Sequence, residues 1–94
     1  MSYVPELSDR AVDDLKRLDE NLRSAAIDAI YELCEAPVLL SRPASTPPYP
    51  PGFQCYEVQV RVADIRYQIT VLFKYSDDET SLLIYRIGHV RYKT

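Results

Sequence analysis

Two alternating runs hinged on a single dipeptide constrain this 94-residue chain more than any other feature of its sequence. In the first, Tyr56, Val58, Val60 and Val62 alternate with Glu57, Gln59 and Arg61. In the second, Ile65, Tyr67, Ile69, Val71, Phe73 and Tyr75 alternate with Arg66, Gln68, Thr70, Leu72 and Lys74. A period of two, rich in β-branched and aromatic residues, is the pattern of a strand with one buried face. Only Ala63-Asp64 separates the runs, so a tight antiparallel hairpin is expected. That turn sets Gln59 opposite Gln68 and Arg61 opposite Arg66. A third strand is expected over 81–87, after the polar loop 76–80, with Arg86 on or near the same face as the arginine pair.

Like charges directly opposite one another destabilise a ladder. Two guanidiniums at Arg61 and Arg66 therefore suit an anion held between them, phosphate being the usual one. The alternative is a pair of solvated side chains splayed apart. The same face carries Gln59, Gln68 and Lys74 as further candidate contacts to a bound substrate, with Leu72 its one apolar exception.

Upstream, residues 2–7 suit a short edge strand, since Pro5 cannot donate to a ladder. Ser8 is a good helix N-cap, with Asp9 favourably placed against the helix dipole. Val12, Leu15 and Leu18 then recur at helical spacing. Asp19 can cap a second helix with the stripe Leu22, Ala26, Ala29, Ile30 and Leu33, which Pro37 ends. The pair should fold back as a helical hairpin over the sheet, one continuous kinked helix being the other arrangement. Residues 38–54 read as an irregular connector, because residues 42–53 hold five of the seven prolines. Such a segment favours extended polyproline-like backbone, as a semi-rigid link or a recognition segment. The resulting fold class is α+β: a single domain over residues 1–94, two-layered, with an N-terminal helical hairpin packed on a small antiparallel sheet.

Composition narrows the function classes. The net charge of −3 argues against a strongly basic nucleic-acid binder. The charge is unevenly spread: residues 1–54 hold five Lys/Arg against nine Asp/Glu, and residues 55–94 hold six against five. The sheet is thus the one region with a basic bias. Cys34 and Cys55 read as small buried apolar residues of a reducing cytoplasm, a bridge between them being the alternative. With two cysteines and one histidine, no metal or cofactor is expected. No apolar run nears the roughly 20 residues that span a bilayer, and no signal peptide is visible.

The order of these elements resembles the RelE/ParE superfamily of toxin–antitoxin toxins. The matching residues are Tyr56-Glu57-Val58-Gln59-Val60-Arg61, Ile65-Arg66-Tyr67-Gln68-Ile69, and the last strand through Leu83-Ile84 to Arg86-Ile87-Gly88-His89. With the two helices in front, the resemblance covers nearly the whole chain. It implies a RelE/ParE-like fold, a cytoplasmic toxin of the plasmid-stabilisation kind, and a small antitoxin whose tail wraps it. RelE-like members are metal-independent endoribonucleases that cut mRNA on the ribosome, and this is the activity expected here. ParE-like members instead inhibit DNA gyrase without cutting, and a decayed member would only bind its antitoxin.

The resemblance carries over to particular residues in part. Arg66 stands where the family has an arginine just after the turn. Glu57 and Gln59 stand where RelE-like members often have lysines. A later family arginine falls on Val90, with Arg91 one position on, and Tyr92 is the available substitute for a late tyrosine. Metal-free RNA cleavage needs a base for the 2′-OH, charge on the phosphorane stabilised, and an acid for the leaving oxygen. Arg66 and Arg61 can supply the charge, and His89 suits proton transfer at neutral pH. Glu57 is a candidate base, Tyr92 can stack a base or donate a proton, and Arg91 joins the candidate catalytic set. His89 at a strand end also has a purely structural reading.

Overall fold

The computed structural model describes residues 2–44 and 52–92. Strand β1 (Val4–Leu7) leads into helix α1 (Asp9–Lys16) and helix α2 (Glu20–Glu35). A single helical turn, α3 (Pro37–Leu40), and a two-residue strand, β2 (Arg42–Pro43), follow. Three long strands complete the chain: β3 (Phe53–Val62), β4 (Ile65–Tyr75) and β5 (Ser81–Arg91). The irregular, polyproline-like connector expected over residues 38–54 needs correction at both ends, where α3 forms, Arg42–Pro43 pair with Cys55 and Gln54, and β3 already begins at Phe53; its residues 45–51 lie outside the described residues.

The sheet has the order β1-β5-β4-β3-β2. Strands β3 and β4 pair in the expected register, Gln59 with Gln68 and Arg61 with Arg66. The expectation of a purely antiparallel sheet needs one correction. The helices carry the chain from β1 to the far edge, and the meander β2-β3-β4-β5 returns it, so β5 arrives beside β1 in parallel, pairing Val4 with Ser81. Pro5 sits on that edge strand, as its missing N–H requires.

Helix α1 is capped by the Ser8 hydroxyl, which accepts from the Ala11 N–H at 3.1 Å, and α2 by Asp19, which accepts from Leu22 at 2.9 Å. The helices are separate because the Arg23 guanidinium, from α2, donates to the carbonyls of Leu15 at 3.0 Å and Leu18 at 2.8 Å. The Leu15 carbonyl also accepts from the Leu18 N–H at 3.1 Å, so Arg23 adds to the closure of the last turn of α1. The buried stripe of α2 is the expected one, Leu22, Ala26, Ala29, Ile30 and Leu33. In α1 the stripe is rotated: Ala11 is fully buried while Val12 is 36% exposed. The spacing Ala11-Leu15-Leu18 follows the helix period as well as Val12-Leu15-Leu18 does, so packing decides between them. Pro37 does more than end α2, since it opens α3, where its missing N–H costs nothing.

Ile69, Val71, Phe73, Leu82 and Ile84 form the floor of the core at 1% exposure or less, with Tyr56 beside them. Tyr67 and Tyr75 pack against it, partly buried. Leu72 points to the other face and is nevertheless buried. Cys34 is buried as expected; Cys55 is only partly so, since its strand position faces away from the helices, and both thiols are free.

Two side chains of α1 clip the outer edge of β5 beyond the end of β1. Ser8 donates to the Tyr85 carbonyl at 2.8 Å, and Asp14 accepts from the Ile87 N–H at 2.9 Å while pairing with the Arg86 guanidinium at 3.0 Å. Partial burial opposes ionisation of Asp14, but the Arg86 pair and the Ile87 N–H outweigh it and lower its pKa below the ordinary 3.8. A carboxyl whose pKa falls on folding stabilises the native state above its unfolded pKa and ceases to do so as pH falls through the folded value. Asp14→Asn should therefore cost about 1–2 kcal/mol at pH 7. The gap between wild type and variant should close as urea titrations move below pH 3.8.

The β3–β4 turn supplies a second prediction. Ala63 (φ 50°) and Asp64 (φ 65°) both lie in the left-handed region, as a two-residue hairpin turn of the primed type requires. An alanine there is strained by roughly 1–2 kcal/mol. Replacing the pair by Asn-Gly should raise the unfolding free energy by about 1 kcal/mol without changing the denaturant m-value.

Candidate binding face of the sheet

The sheet face turned away from the helices carries Glu57, Gln59 and Arg61 from β3 and Arg66, Gln68, Thr70, Leu72 and Lys74 from β4. Arg86, Gly88 and Val90 join from β5, by their pairing with Leu72, Thr70 and Gln68. Arg61 and Arg66 are exposed and directly opposed. Among the described residues neither has an acidic side chain within salt-bridge distance.

A polar chain runs across this face from edge to edge. Arg42, on β2, pairs with Glu57; the Gln68 amide donates to the other Glu57 oxygen; and the Tyr92 hydroxyl donates to Gln68 Oε1 at 2.6 Å. The Arg66 guanidinium carbon lies 5.9 Å from the centre of the Tyr92 ring, within cation–π range. The Tyr92 N–H also donates to the Arg66 carbonyl at 2.9 Å. Tyr92 is therefore fixed beside Arg66.

The same network makes Glu57 a weaker base than a free carboxylate. The hydrogen bond from Arg42 holds its carboxyl below the usual range, against a smaller opposing effect of burial. Cys55, beside it, is no nucleophile: burial and the neighbouring Glu57 carboxylate raise its pKa and keep it protonated.

The remaining candidates lie elsewhere. His89 pairs with Ile69 and Arg91 with Tyr67, which puts both on the helix side of the sheet, His89 with its ring 6.3 Å from that of Tyr67. The sheet itself thus stands between them and the arginine pair. Lys74 shares the face with Arg66 but is eight residues along the strand, about 26 Å at strand spacing. Arg86 is on the expected face and is held bidentately by Asp14, at 3.0 and 3.3 Å. Gln59 and Gln68 flank the arginine pair.

A further feature escapes the alternating pattern. Leu72 pairs with Arg86 but Phe73 pairs with Ile84, so Tyr85 is the extra residue of a β-bulge. The bulge brings the consecutive residues Tyr85 and Arg86 to one cleft of about 410 Å³, with Phe53 and Leu72 beside them and Ser8, Asp9 and Arg10 on its rim. The Phe53 and Tyr85 rings meet edge to face at 4.9 Å. Leu72, isolated in the sequence pattern, is the floor of this cleft. Bulges re-aim side chains in this way. A slip of register between β4 and β5 leaves no local mark in a sequence.

Among the described residues no group of His, Cys, Asp or Glu could hold a metal ion, and no helix is long and apolar enough to cross a membrane.

Comparison with solved structures finds the same fold. The Mycobacterium tuberculosis RelBE2 toxin–antitoxin complex contains a chain superposing with a TM-score of 0.73 at 20% identity, over 96% of this chain and 100% of that one. A chain of the intact E. coli RelBE complex gives 0.63 at 16%, over 93% and 95%. The isolated E. coli RelE toxin gives 0.63 at 15%, over 98% and 88%. No curated protein sequence matches. The family described as the ParE toxin of the type II toxin–antitoxin system, parDE, matches residues 6–92. That span takes in the end of β1, both long helices and all of β3, β4 and β5, and by it the chain belongs to the ParE toxin family of type II toxin–antitoxin systems.

Proposed function

We propose that this toxin acts by binding a protein target rather than by cutting RNA, and that the target is DNA gyrase, as the resemblance to ParE-like members implies. The observation that carries the reading is the division of the candidate residues by the sheet. Arg61, Arg66 and Tyr92 share one face, while His89, the chain's one imidazole, lies with Arg91 on the other. Glu57, the carboxylate nearest the arginines, is paired with Arg42, which lowers its basicity. The face is equipped to hold an anionic group, and the imidazole suited to proton transfer is not on it, which leaves only Glu57, tied to Arg42, and Tyr92, tied to Gln68, for that role. Such a toxin acts in the cytoplasm and is neutralised there by an antitoxin. The toxin–antitoxin complexes among its structural relatives support that partner.

A second reading keeps the ribosome-dependent mRNA endoribonuclease. It is favoured by the exposed guanidinium pair with Tyr92 fixed beside it, an arrangement suited to a phosphate and a stacked base. On this reading Arg66 stabilises transition-state charge, and Arg66→Ala would slow cleavage by roughly a hundredfold to a thousandfold, about 2.7–4 kcal/mol.

Two assays run on the same preparation separate the readings. The purified toxin is expected to inhibit gyrase supercoiling and to leave ribosome-bound message intact in primer extension. Cut message that becomes uncut with Arg66→Ala, while supercoiling proceeds normally, would replace the first reading by the second.

A further inference from the structure

We propose that Arg42 and Glu57 are positioning residues for target binding: through the Gln68 amide, and from the opposite edge of the sheet, they hold Tyr92 against Arg66. The inference rests on the reading of this face as the one that grips gyrase, and it names the side chains that set the geometry of that grip.

The contacts follow one geometric rule. Arg42 pairs across the ladder with Cys55, Gln59 with Gln68, and Arg61 with Arg66, whose carbonyl accepts from the Tyr92 N–H. Counted along β3, Arg42 is therefore level with residue 55, Gln68 with residue 59 and Tyr92 with residue 61, while Glu57 lies between the first two. Each hydrogen bond steps one strand across and two residues along, so all four side chains leave the sheet on the same face. Diagonal neighbours of this kind are about 7–8 Å apart, within reach of long polar and aromatic side chains. The diagonal joins β2, β3, β4 and the residue that follows β5.

Its donors and acceptors admit one order. An arginine only donates, and an ionised carboxylate only accepts. The hydrogen bond from Arg42 lowers the pKa of Glu57 and keeps it ionised. Arg42 takes one carboxylate oxygen, which the Cys55 thiol also approaches at 3.7 Å, and leaves the other to Gln68. Gln68 must then turn its amino group to Glu57 and its Oε1 to Tyr92, whose hydroxyl can only donate to it, at 2.6 Å. Glu57 thus decides which way the Gln68 amide faces, and Gln68 decides where the Tyr92 hydroxyl is held.

Tyr92 is consequently tied at both ends, by its hydroxyl to Gln68 and by its N–H to the Arg66 carbonyl, with its ring 5.9 Å from the Arg66 guanidinium. A cation–π contact at an exposed site is weak by itself, and free side chains lose rotamer freedom when a target orders them. The diagonal orders them during folding instead. Charge and positioning then make opposite predictions for Glu57. By charge alone, removing a carboxylate from a face that holds an anionic group tightens binding. Removing a positioning residue weakens it.

The test measures gyrase affinity and supercoiling inhibition for each toxin, with thermal melting of the toxin alone. Glu57→Met keeps an unbranched side chain and removes both acceptor oxygens. It should weaken gyrase binding about fivefold, the scale of one lost hydrogen bond, with the melting temperature held within about 4 °C. Tyr92→Phe keeps the ring, loses the tether and should weaken binding by a similar factor. The double variant should lose no more than about fivefold, where independent effects would multiply to roughly 25-fold. Coupling between two side chains that do not touch is the mark of action through Gln68. Arg42→Met should weaken binding about twofold to threefold, as suits an exposed pair, and Arg42→Lys should restore most of it. Tyr31→Ala alters a side chain 60% exposed on α2 and should leave affinity unchanged.

Wild-type or tighter binding by Glu57→Met would assign Glu57 a role through charge alone and overturn the proposal, with the gyrase reading intact. Losses that multiply in the double variant would overturn it likewise. Should Glu57→Met melt early, the decision passes to Arg42, whose side chain is 70% exposed, and wild-type affinity in Arg42→Met overturns the proposal. A wild-type toxin that leaves supercoiling untouched would overturn the gyrase reading and this inference with it.

Discussion

The register between β3 and β4 is the constraint on which everything else depends. Strand β4 lies at the centre of the sheet, and Val71, Leu72 and Phe73 are buried on both of its faces in succession. Each such side chain stabilises the fold by roughly 1.5–3 kcal/mol. Because side chains alternate along a strand, a slip of one residue would turn Phe73 and Ile69 to solvent and drive Arg66 under the helices. The two-residue turn at Ala63-Asp64 allows no such slack. The strain it stores in two left-handed residues is small beside the burial that the register secures.

With that register set, the helices finish the fold by covering one face only. The edge of β5 is closed by α1 through Ser8 and Asp14 instead of by another strand. These clips act next to the bulge at Tyr85. Edge termination, bulge and cleft are therefore one local structure: the segment that leaves the ladder with β1 is the segment that turns Tyr85 and Arg86 outward. Asp14 serves two purposes, satisfying the Ile87 N–H and fixing the position of Arg86 at the mouth of the cleft.

The open face is correspondingly divided. Its polar half is a fixed network from Arg42 to Tyr92 that orders the side chains around Arg66. An ordered face with an exposed arginine pair suits recognition as well as it suits chemistry. The difference lies in proton transfer, which needs a titratable group within hydrogen-bond reach of the reacting atoms. Here the sheet holds His89 on the side of Ile69, away from the arginines. The arginine pair and the one imidazole of the chain are thus separated by the thickness of its own sheet.

The sequence alone determined whatever follows from local periodicity. The alternation from Tyr56 to Tyr75, the two-residue turn, the caps at Ser8 and Asp19 and the stripe of α2 are all short-range patterns, and from them come the hairpin, its register and the arginine pair. Tertiary structure decided what depends on contacts between distant segments. Val12 and Ala11 offered equivalent helical stripes until packing buried Ala11. The parallel seating of β1 required β5 to return beside it. His89 and Arg91 looked like neighbours of Arg66 in sequence order, but the face on which each lies is set by pairing with β4. The cleft depended on a bulge more than ten residues from Leu72 along the chain. A ladder's phase across strands is a property of the assembled sheet, and no single strand encodes it.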